Sequence, residues 1–354
     1  MSYTNIDKPT DYFNTVLYSG SGSASNITGV GFQPDWVWIK CRTNAVSHSL
    51  NDSVRGANKQ LESNDNGAET SFTNALTSFN SDGFTVDTSG ETGQSGRTYV
   101  AWNWKAGSST STNTSGTINT TVNVNQTAGF SIATFTSAGA TTCNIGHGLG
   151  VKPAFVIIKN RSDTNQWIIY HHKLNTGTSA PPEHVGIALE STSAGFDYPV
   201  FQDTAPTSTL MYYGNSADVG CTSNANGENF VVYSFAEKKG FSKFGSYTGN
   251  GSTDGTFVYT GFKPAFVIQK RSDSTGRWVL WDNKRNTFNV SSSILTPNAN
   301  GSENTGFWDI DILSNGFKFR LNDSEANNSG GTYIYMAFAE SPFVTSTGIP
   351  TTAR

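Results

Sequence analysis

The chain has 354 residues, which is enough for two or three domains that each bury a hydrophobic core. Charged residues make up only 14% of the sequence and aromatic residues 12%, so the composition excludes a disordered chain and predicts a surface of Ser, Thr, Asn and Gly. The net charge of −4 disfavours nucleic acid as a partner, and no apolar run is long enough to insert into a membrane.

The first repeat is predicted to span residues 1–107. Its opening strand is predicted over residues 13–18 and its closing strand over residues 96–105. Between them, a strand follows the proline in the run Gly31-Phe32-Gln33-Pro34-Asp35-Trp36-Val37-Trp38-Ile39-Lys40. Proline at the head of a strand costs no ladder hydrogen bond. The residues after it are apolar at both odd and even positions, so this Pro-led strand is predicted to be covered on both faces.

Ser, Thr, Asn and Gly make up residues 108–116, which are therefore predicted to be a flexible linker. Residues 117–125 are predicted to form an edge strand that enters the second repeat, at 117–239. Landmarks recur there in the same order: an opening strand at 129–135, a Pro-led strand at 150–159, a Trp-bearing strand at 166–172 and a closing strand at 227–237. At the position of the Trp-bearing strand the first repeat has Val46-Ser47-His48-Ser49-Leu50 instead.

The third repeat is predicted at 240–354 and ends in a short C-terminal tail. Its landmarks are a Pro-led strand at 261–270, a Trp-bearing strand at 277–281 and a closing strand at 330–340. The prolines Pro34, Pro153 and Pro264 are 119 and 111 residues apart, which is domain spacing rather than solenoid spacing. Many short strands with regular turn signals predict an all-β protein of three tandem antiparallel β-sandwich domains, each enclosing its own Pro-led strand.

Five segments together resemble a family of concanavalin A-like, lectin/glucanase-type β-sandwich proteins in virions of marine tailed bacteriophages. They are Ser81-Asp82-Gly83-Phe84-Thr85, Tyr99-Val100-Ala101-Trp102-Asn103-Trp104-Lys105-Ala106-Gly107, Phe235-Ala236-Glu237, Gly240-Phe241-Ser242-Lys243-Phe244-Gly245-Ser246-Tyr247-Thr248-Gly249-Asn250-Gly251 and Tyr333-Ile334-Tyr335-Met336-Ala337-Phe338-Ala339-Glu340. The resemblance covers about residues 13–343. It implies jelly-roll or concanavalin A-like sandwiches in a virion component of the tail-fibre or host-adhesion type, and it supplies no catalytic residues.

Cys41, Cys143 and Cys221 form an odd set without metal-ligand spacing. They are predicted to be three unrelated thiols in a protein made in a reducing cytosol. The first residues carry neither a basic region nor an apolar segment, so no secretory signal is predicted. A composition typical of extracellular or virion surfaces, without an export signal, indicates a virion protein made in the host cytoplasm.

Two groups of side chains are candidates for catalysis or metal binding. Asp309 and Asp311 share one strand face, as the paired carboxylates of a glycosidase would at about 5–5.5 Å. The first two repeats have no equivalent pair, so these carboxylates are predicted to face solvent. The neighbours His171 and His172 point to opposite faces of a strand, and His147 lies in a Gly-rich turn. The sequence therefore predicts no enzyme, no cofactor and no metal.

Sugars present apolar C–H faces that stack on exposed aromatic rings, so aromatic residues near loops are candidate glycan platforms. The alternative for each is packing in the core, which is expected for Trp36, Trp38, Trp102 and Trp104 because their strands are the most apolar. The candidate ligand-binding residues are Trp167, Tyr212, Tyr213, Trp278 and Trp281.

The sequence favours a tail-fibre or adhesin-like protein that binds the host surface, through a glycan, without catalysis. A capsid or tail decoration protein is the alternative, and a glycan depolymerase is a further one. The expected partners are other virion proteins, a host glycan and further copies of the chain. A trimer is the natural assembly for a fibre, although the sequence contains no coiled-coil heptads to impose one.

Overall fold

The computed structural model describes residues 3–351, and almost all of its regular structure is antiparallel β-strand. The predicted all-β class is therefore confirmed. The first 107 residues contain nine strands, β1 (Phe13–Ser19), β2 (Ser25–Ile27), β3 (Trp36–Cys41), β4 (Ser49–Asp52), β5 (Lys59–Gln60), β6 (Thr70–Ser71), β7 (Leu76–Asn80), β8 (Gly83–Val86) and β9 (Thr98–Trp104).

The next ten strands are β10 (Ser111–Asn113), β11 (Thr120–Asn125), β12 (Phe130–Thr136), β13 (Cys143–Gly146), β14 (Phe155–Asn160), β15 (Ile168–His171), β16 (Val185–Ala188), β17 (Phe196–Asp197), β18 (Leu210–Tyr213) and β19 (Asn229–Phe235). The last eight are β20 (Ser242–Thr248), β21 (Phe257–Tyr259), β22 (Phe262–Arg271), β23 (Trp278–Asp282), β24 (Ser291–Ile294), β25 (Asn304–Leu313), β26 (Gly316–Phe319) and β27 (Thr332–Pro342). Within residues 3–351 the helical segments are the short 3-10 helices Pro9–Asp11, Ala217–Val219 and Ser223–Ala225.

The main sheet has the same strand order in all three repeats. The orders are β1-β9-β3-β4, β12-β19-β14-β15 and β20-β27-β22-β23, so the closing strand always lies between the opening strand and the Pro-led strand. In the second repeat β10 and β11 extend one edge of this sheet, and β16 and β17 extend the other. The prediction that residues 117–125 form an edge strand is therefore wrong, because β11 lies inside the sheet. The edge strand is β10, which lies within residues 108–116, the segment predicted to be a flexible linker.

A smaller antiparallel sheet covers one face of each main sheet. These sheets are β2-β8-β7, β13-β18 and β21-β26-β25-β24. In the first repeat Val37 and Ile39 of the Pro-led strand point towards the small sheet, where they pack with Leu76, Phe84 and Val86. Equivalent hydrophobic clusters form in the second and third repeats. This packing explains one of the two covered faces of each Pro-led strand.

The other face of each main sheet packs into a core that all three repeats share, which we call the central core. Trp36 of the first repeat stacks on Tyr233 of the second at a centroid distance of 4.5 Å. Phe13 stacks on Phe338 of the third repeat at 5.0 Å. The main contributors are Phe13, Trp36, Trp38, Trp102, Trp104, Phe130, Phe155, Ile157, Tyr233, Phe235, Phe244, Phe266, Ile268, Met336 and Phe338.

The Pro-led strands are thus buried on both faces, as predicted, and the burial of Trp36, Trp38, Trp102 and Trp104 is confirmed. The expectation that each repeat encloses its own Pro-led strand is wrong for one face, because the cover there comes from the other repeats. Aromatic pairs of this kind each contribute about 0.5–1.5 kcal/mol beyond their buried area, so the central core joins the repeats strongly.

Asp52, His171 and Asp282 occupy equivalent positions in the three repeats. In the strand register they lie opposite Trp36, Phe155 and Phe266 of the Pro-led strands, respectively. Each accepts a hydrogen bond from the backbone of the turn that follows it, and each also contacts another repeat. The cross-repeat contacts are Asp52 with Tyr233 Oη (2.7 Å), His171 with Tyr335 O (3.2 Å) and Asp282 with Trp102 Nε1 (3.1 Å). They close a cycle, because the first repeat contacts the second, the second the third and the third the first.

The lysine near the end of each Pro-led strand repeats this cyclic pattern. Lys40, Lys159 and Lys270 are fully buried, and each ammonium donates to backbone carbonyls rather than to a carboxylate. One acceptor in each case belongs to a loop of another repeat, namely Asn300 O (3.1 Å), Asn66 O (3.0 Å) and Thr192 O (3.3 Å). Burial lowers the pKa of each of these lysines to about 8.

Candidate functional site

Four of the five predicted glycan platforms lie inside the protein. Trp167, Tyr213, Trp278 and Trp281 have 0–1% of their surface exposed. A ring without an accessible face cannot stack on a sugar, so the platform interpretation is wrong for these four. The fifth, Tyr212 on β18, is half-buried.

Trp167 and Trp278 are buried because they hold neighbouring repeats together. The indole N–H of Trp278 donates to Ala188 O at 2.9 Å, and that of Trp167 donates to Glu62 O and Asp65 O at 3.0 Å. His48 occupies the same strand position in the first repeat, and its Nε2 lies 3.2 Å from Thr296 O. The histidine that replaces tryptophan there therefore makes the same kind of contact, through a ring nitrogen to a carbonyl of another repeat.

The carboxylates considered for glycosidase chemistry are not both open to solvent. Asp311 is only 7% exposed, and its Oδ2 accepts from Arg320 Nε at 2.6 Å. The prediction that it faces solvent is therefore wrong. Asp309 is also tied to the same arginine, because its carbonyl accepts from the Arg320 backbone N–H at 2.9 Å. Burial raises the pKa of Asp309.

The histidines considered as metal ligands are hydrogen-bonded to backbone. Burial lowers the pKa of His147 to about 4 and that of His171 to about 3. His172 Nε2 lies 2.7 Å from Phe244 O, another contact between the second and third repeats. Residues 3–351 contain no group of three or more His, Cys, Asp or Glu side chains arranged to hold a metal ion. In the same part of the chain, no helix has the length and apolar character needed to cross a membrane.

Two of the three cysteines are paired. Cys143 on β13 and Cys221 form a disulfide with a Cα–Cα distance of 5.8 Å across 78 positions, whereas Cys41 is free and buried. The prediction of three unrelated thiols is therefore wrong for this pair. Spacing along the sequence carries no signal for it, because folding of the second repeat brings the two residues together.

A surface groove is formed where the N-terminal segment crosses two turns. We call it the N-terminal groove; its volume is about 720 Å³ and it is lined by Tyr3, Thr4, Asn5, Ile6, Gln126, Thr127, Lys238 and Lys239. Ile6 anchors the segment because its side chain is buried in the central core. Gln126 and Thr127 come from the β11–β12 turn, and the two lysines from the β19–β20 turn.

Two tyrosines meet beside this groove. The hydroxyl of Tyr3 donates to Gly261 O at 2.6 Å, and burial together with the neighbouring Tyr259 hydroxyl raises the pKa of Tyr3. Gly261 has φ +83°, and a Cβ there would lie 2.9 Å from Tyr3 Oη and 3.5 Å from Tyr259 Oη. A glycine is therefore required for this close approach. Tyr259, on the edge strand β21, keeps 55% of its surface exposed.

The lysines give the groove its charge. Lys239 Nζ lies 4.5 Å from the centroid of the Tyr3 ring, which is a cation–π contact. Lys238 is partly buried, and burial lowers its pKa. Within residues 3–351 neither ammonium makes an ion pair, and the adjacent Glu237 is paired with Lys243 instead. The groove therefore combines aromatic rings, hydrogen-bonding groups and unpaired positive charge.

Apolar side chains are exposed on the small sheet of the third repeat, at the edge opposite to β21, which carries Tyr259. Phe288 and Val290 precede β24 and are 79% and 45% exposed, and Phe307 on β25 is 62% exposed. Strand β24 is the edge of this sheet and β25 is its neighbour, so the three residues lie on adjacent segments at that side of the sheet. Sequence reasoning did not select them, because their segments lack the landmarks shared by the repeats.

Residues 8–342 match a family described as a domain of unknown function, DUF7483. The match covers most of the chain, including all three main sheets. No curated protein and no solved structure matches the chain.

Proposed function

We propose that the chain, which belongs to the DUF7483 family, is a bacteriophage virion protein that attaches the particle to a glycan on the host surface without catalysis. The location on the virion is supported by the sequence motifs that resemble marine-phage virion proteins. It is also supported by a surface with few charges and many Ser, Thr and Asn residues.

We further propose that each main sheet and its small sheet form one sandwich domain of the jelly-roll or concanavalin A-like kind. The three hydrophobic clusters between main and small sheets support this division. In this interpretation the central core fixes the three domains relative to one another, and recognition is left to turns and edges at the surface. Binding residues on loops held by a rigid scaffold are a common arrangement in proteins.

The observation that carries the glycan proposal is the exposed ring of Tyr259 beside the N-terminal groove. An accessible aromatic face gives a sugar ring a stacking surface, and nearby amide and hydroxyl groups can bind sugar hydroxyls. Gln126 and Thr127 supply such groups in the groove. The buried aromatics predicted from sequence cannot take this role, so Tyr259 and Tyr3 replace them in the proposed site.

The test is binding of the purified full-length protein to host cells and to envelope polysaccharide. Substitution Tyr259→Ala is expected to weaken binding about tenfold, equivalent to about 1.4 kcal/mol. Tyr198→Ala is the matched control because Tyr198 is also exposed, at 45%, but lies in the second repeat away from the groove. Absence of binding by the unmodified protein would overturn the proposal, and release of reducing sugar would overturn its non-catalytic part.

A second candidate function is decoration of the particle, and the exposed edge formed by Phe288, Val290 and Phe307 favours it. Exposed apolar clusters commonly mark sites of contact with another protein. Antibody labelling of virions separates the two functions, because a location on the capsid shell indicates decoration and one on the tail indicates attachment. In either case Phe288→Ser with Phe307→Ser is expected to reduce incorporation of the protein into particles.

A further inference from the structure

We infer that the N-terminal groove binds an anionic group, a carboxylate or a sulfate, so that the ligand is an acidic polysaccharide. This inference rests on the proposed attachment function and names the class of glycan. It depends on the placement of Lys238 and Lys239 at one wall of the groove, next to the two tyrosines.

In the described part of the chain, no carboxylate pairs with the lysines of the groove. Its eight lining residues include two lysines and neither Asp nor Glu. The closest acidic residue in sequence, Glu237, has its carboxylate on Lys243. This differs from the interior, where the ammonium groups of Lys40, Lys159 and Lys270 each donate to two or three carbonyl oxygens.

The Lys239 ammonium and the turn that carries Lys238 are also held in place. Lys239 lies over the ring of Tyr3, whose hydroxyl is fixed by Gly261 O. The turn that carries Lys238 is fixed too, because the Lys238 N–H donates to Ser242 Oγ at 3.0 Å and its carbonyl accepts from the backbone of Phe241 and Ser242. An anion therefore meets one pre-positioned ammonium, that of Lys239, beside a turn that carries a second, and charge-assisted hydrogen bonds are about twice as strong as neutral ones.

The aromatic and charged parts of the site are continuous. Tyr3 contacts Lys239 on one side and, through the Gly261 turn, Tyr259 on the other. A sugar ring on Tyr259 can thus extend an acidic substituent along Tyr3 towards the lysines. Neutral polysaccharides would use the stacking surface alone, so charge on the polymer is expected to set the affinity.

The experiment measures binding of the full-length protein to immobilised dextran, dextran sulfate and polygalacturonate at low and moderate salt. The variant Lys238→Gln/Lys239→Gln is compared with Lys173→Gln/Lys284→Gln, which removes two exposed lysines elsewhere. The groove variant is expected to lose at least tenfold affinity for an acidic polymer and to show a weaker salt dependence. The control is expected to bind as the unmodified protein does. Thermal unfolding of both variants checks that the fold is retained.

The polymers separate the sources of the anion, because loss on dextran sulfate alone identifies sulfate and loss on polygalacturonate alone identifies carboxylate. Equal binding to dextran and to the acidic polymers overturns the inference while leaving attachment intact. If the groove variant binds host cells as well as the unmodified protein does, the inference is likewise overturned while attachment stays intact. Failure to bind any polymer or host cells removes the attachment function itself.

Discussion

The indole N–H of Trp102 donates a hydrogen bond of 3.1 Å to Asp282 Oδ2, across 180 positions of the sequence. Trp102 belongs to the first repeat and Asp282 to the third, so this bond closes the cycle of contacts among the repeats. Both side chains are fully buried. Leaving a buried hydrogen-bonding group without its partner costs more free energy than the bond itself contributes. The contact between the first and third repeats therefore depends on both Trp102 and Asp282.

The first prediction concerns Asp282, which also pairs with Arg285 Nε at 2.6 Å where both side chains are fully buried. Substitution Asp282→Ala is expected to lower the free energy of unfolding by about 3–5 kcal/mol, because it removes the closer of the two carboxylates paired with the buried Arg285 guanidinium and leaves the buried Trp102 N–H without its acceptor. Urea denaturation monitored by tryptophan fluorescence measures the change.

Asp11→Ala is the control for this substitution. Asp11 pairs with Lys8, but their side chains are 47% and 73% exposed, and exposed pairs contribute at most about 1 kcal/mol. Equal losses in the two variants would show that closure of the cycle does not stabilise the fold.

Two of the three repeat interfaces carry an additional ion triad. Glu303 binds Arg42 and Arg285 between the third and first repeats, and Glu69 binds Arg55 and Arg161 between the first and second. At the remaining interface Gly195 takes the place of the glutamate, and Ser272 takes the place of the arginine that directly follows the Pro-led strand. The backbone bond persists at all three, as Glu69 N to Arg161 O, Glu303 N to Arg42 O and Gly195 N to Ser272 O. The interface without the triad joins the second and third repeats, between which the sequence has no linker.

The second prediction is a loss of stability in acid through His171. Burial, with a smaller effect of His172, lowers the pKa of His171 to about 3 in the folded protein, whereas the unfolded value is about 6.5. Between these values the unfolded chain binds the additional proton, so the free energy of unfolding falls as pH decreases from about 6.5 towards 3. One such group contributes about 1.4 kcal/mol per pH unit.

The variant His171→Asn isolates this contribution, because asparagine can still accept from the Lys173 N–H as Asp52 and Asp282 do in their turns. Urea denaturation between pH 4.5 and 6 is expected to show a shallower pH dependence for the variant. The carboxylates titrate in both proteins, so they do not affect the difference. Identical slopes would contradict a buried neutral His171.

The third prediction concerns the alkaline side, where Lys40, Lys159 and Lys270 have pKa values of about 8. The unfolded value is about 10.4, so between pH 8 and 10 the unfolded chain binds more protons and the free energy of unfolding rises with pH. Lys270→Met is expected to reduce that rise by about 1 kcal/mol per pH unit. Denaturation at pH 8.0, 8.75 and 9.5 measures it, with the exposed Lys8→Met as control; an unchanged slope in Lys270→Met would contradict the assignment.

Local sequence pattern predicted the strands well because burial on both faces leaves a direct signal in apolar residues at odd and even positions. It did not predict what covers the second face, because apolar residues show that a strand face is buried but not which part of the chain covers it. The motif Asp-x-x-Arg, present as Asp52-x-x-Arg55 and Asp282-x-x-Arg285, marks the residues of the cyclic contacts in the first and third repeats. In the second repeat His171 replaces the aspartate, so the motif is not repeated there.

The candidate site was harder to predict for a related reason. Trp167 and Trp278 look like binding residues because tryptophan suits both sugar stacking and buried hydrogen bonding, and only exposure separates the two roles. The N-terminal groove combines Tyr3, Lys239 and Tyr259, which are far apart in sequence and meet only after the repeats assemble. No motif of contiguous residues marks such a site.

The fourth prediction is that the Cys143–Cys221 disulfide makes stability depend on reductant. Closing a loop of 78 positions removes entropy from the unfolded chain worth about 4.5 kcal/mol, and both residues are buried in the second repeat. A reducing agent is therefore expected to lower the urea midpoint of the unmodified protein and of Cys41→Ala, but not that of Cys143→Ala/Cys221→Ala. Alkylation of the denatured, non-reduced protein followed by mass spectrometry should find one free thiol. Three free thiols in protein purified under oxidising conditions would contradict the pairing.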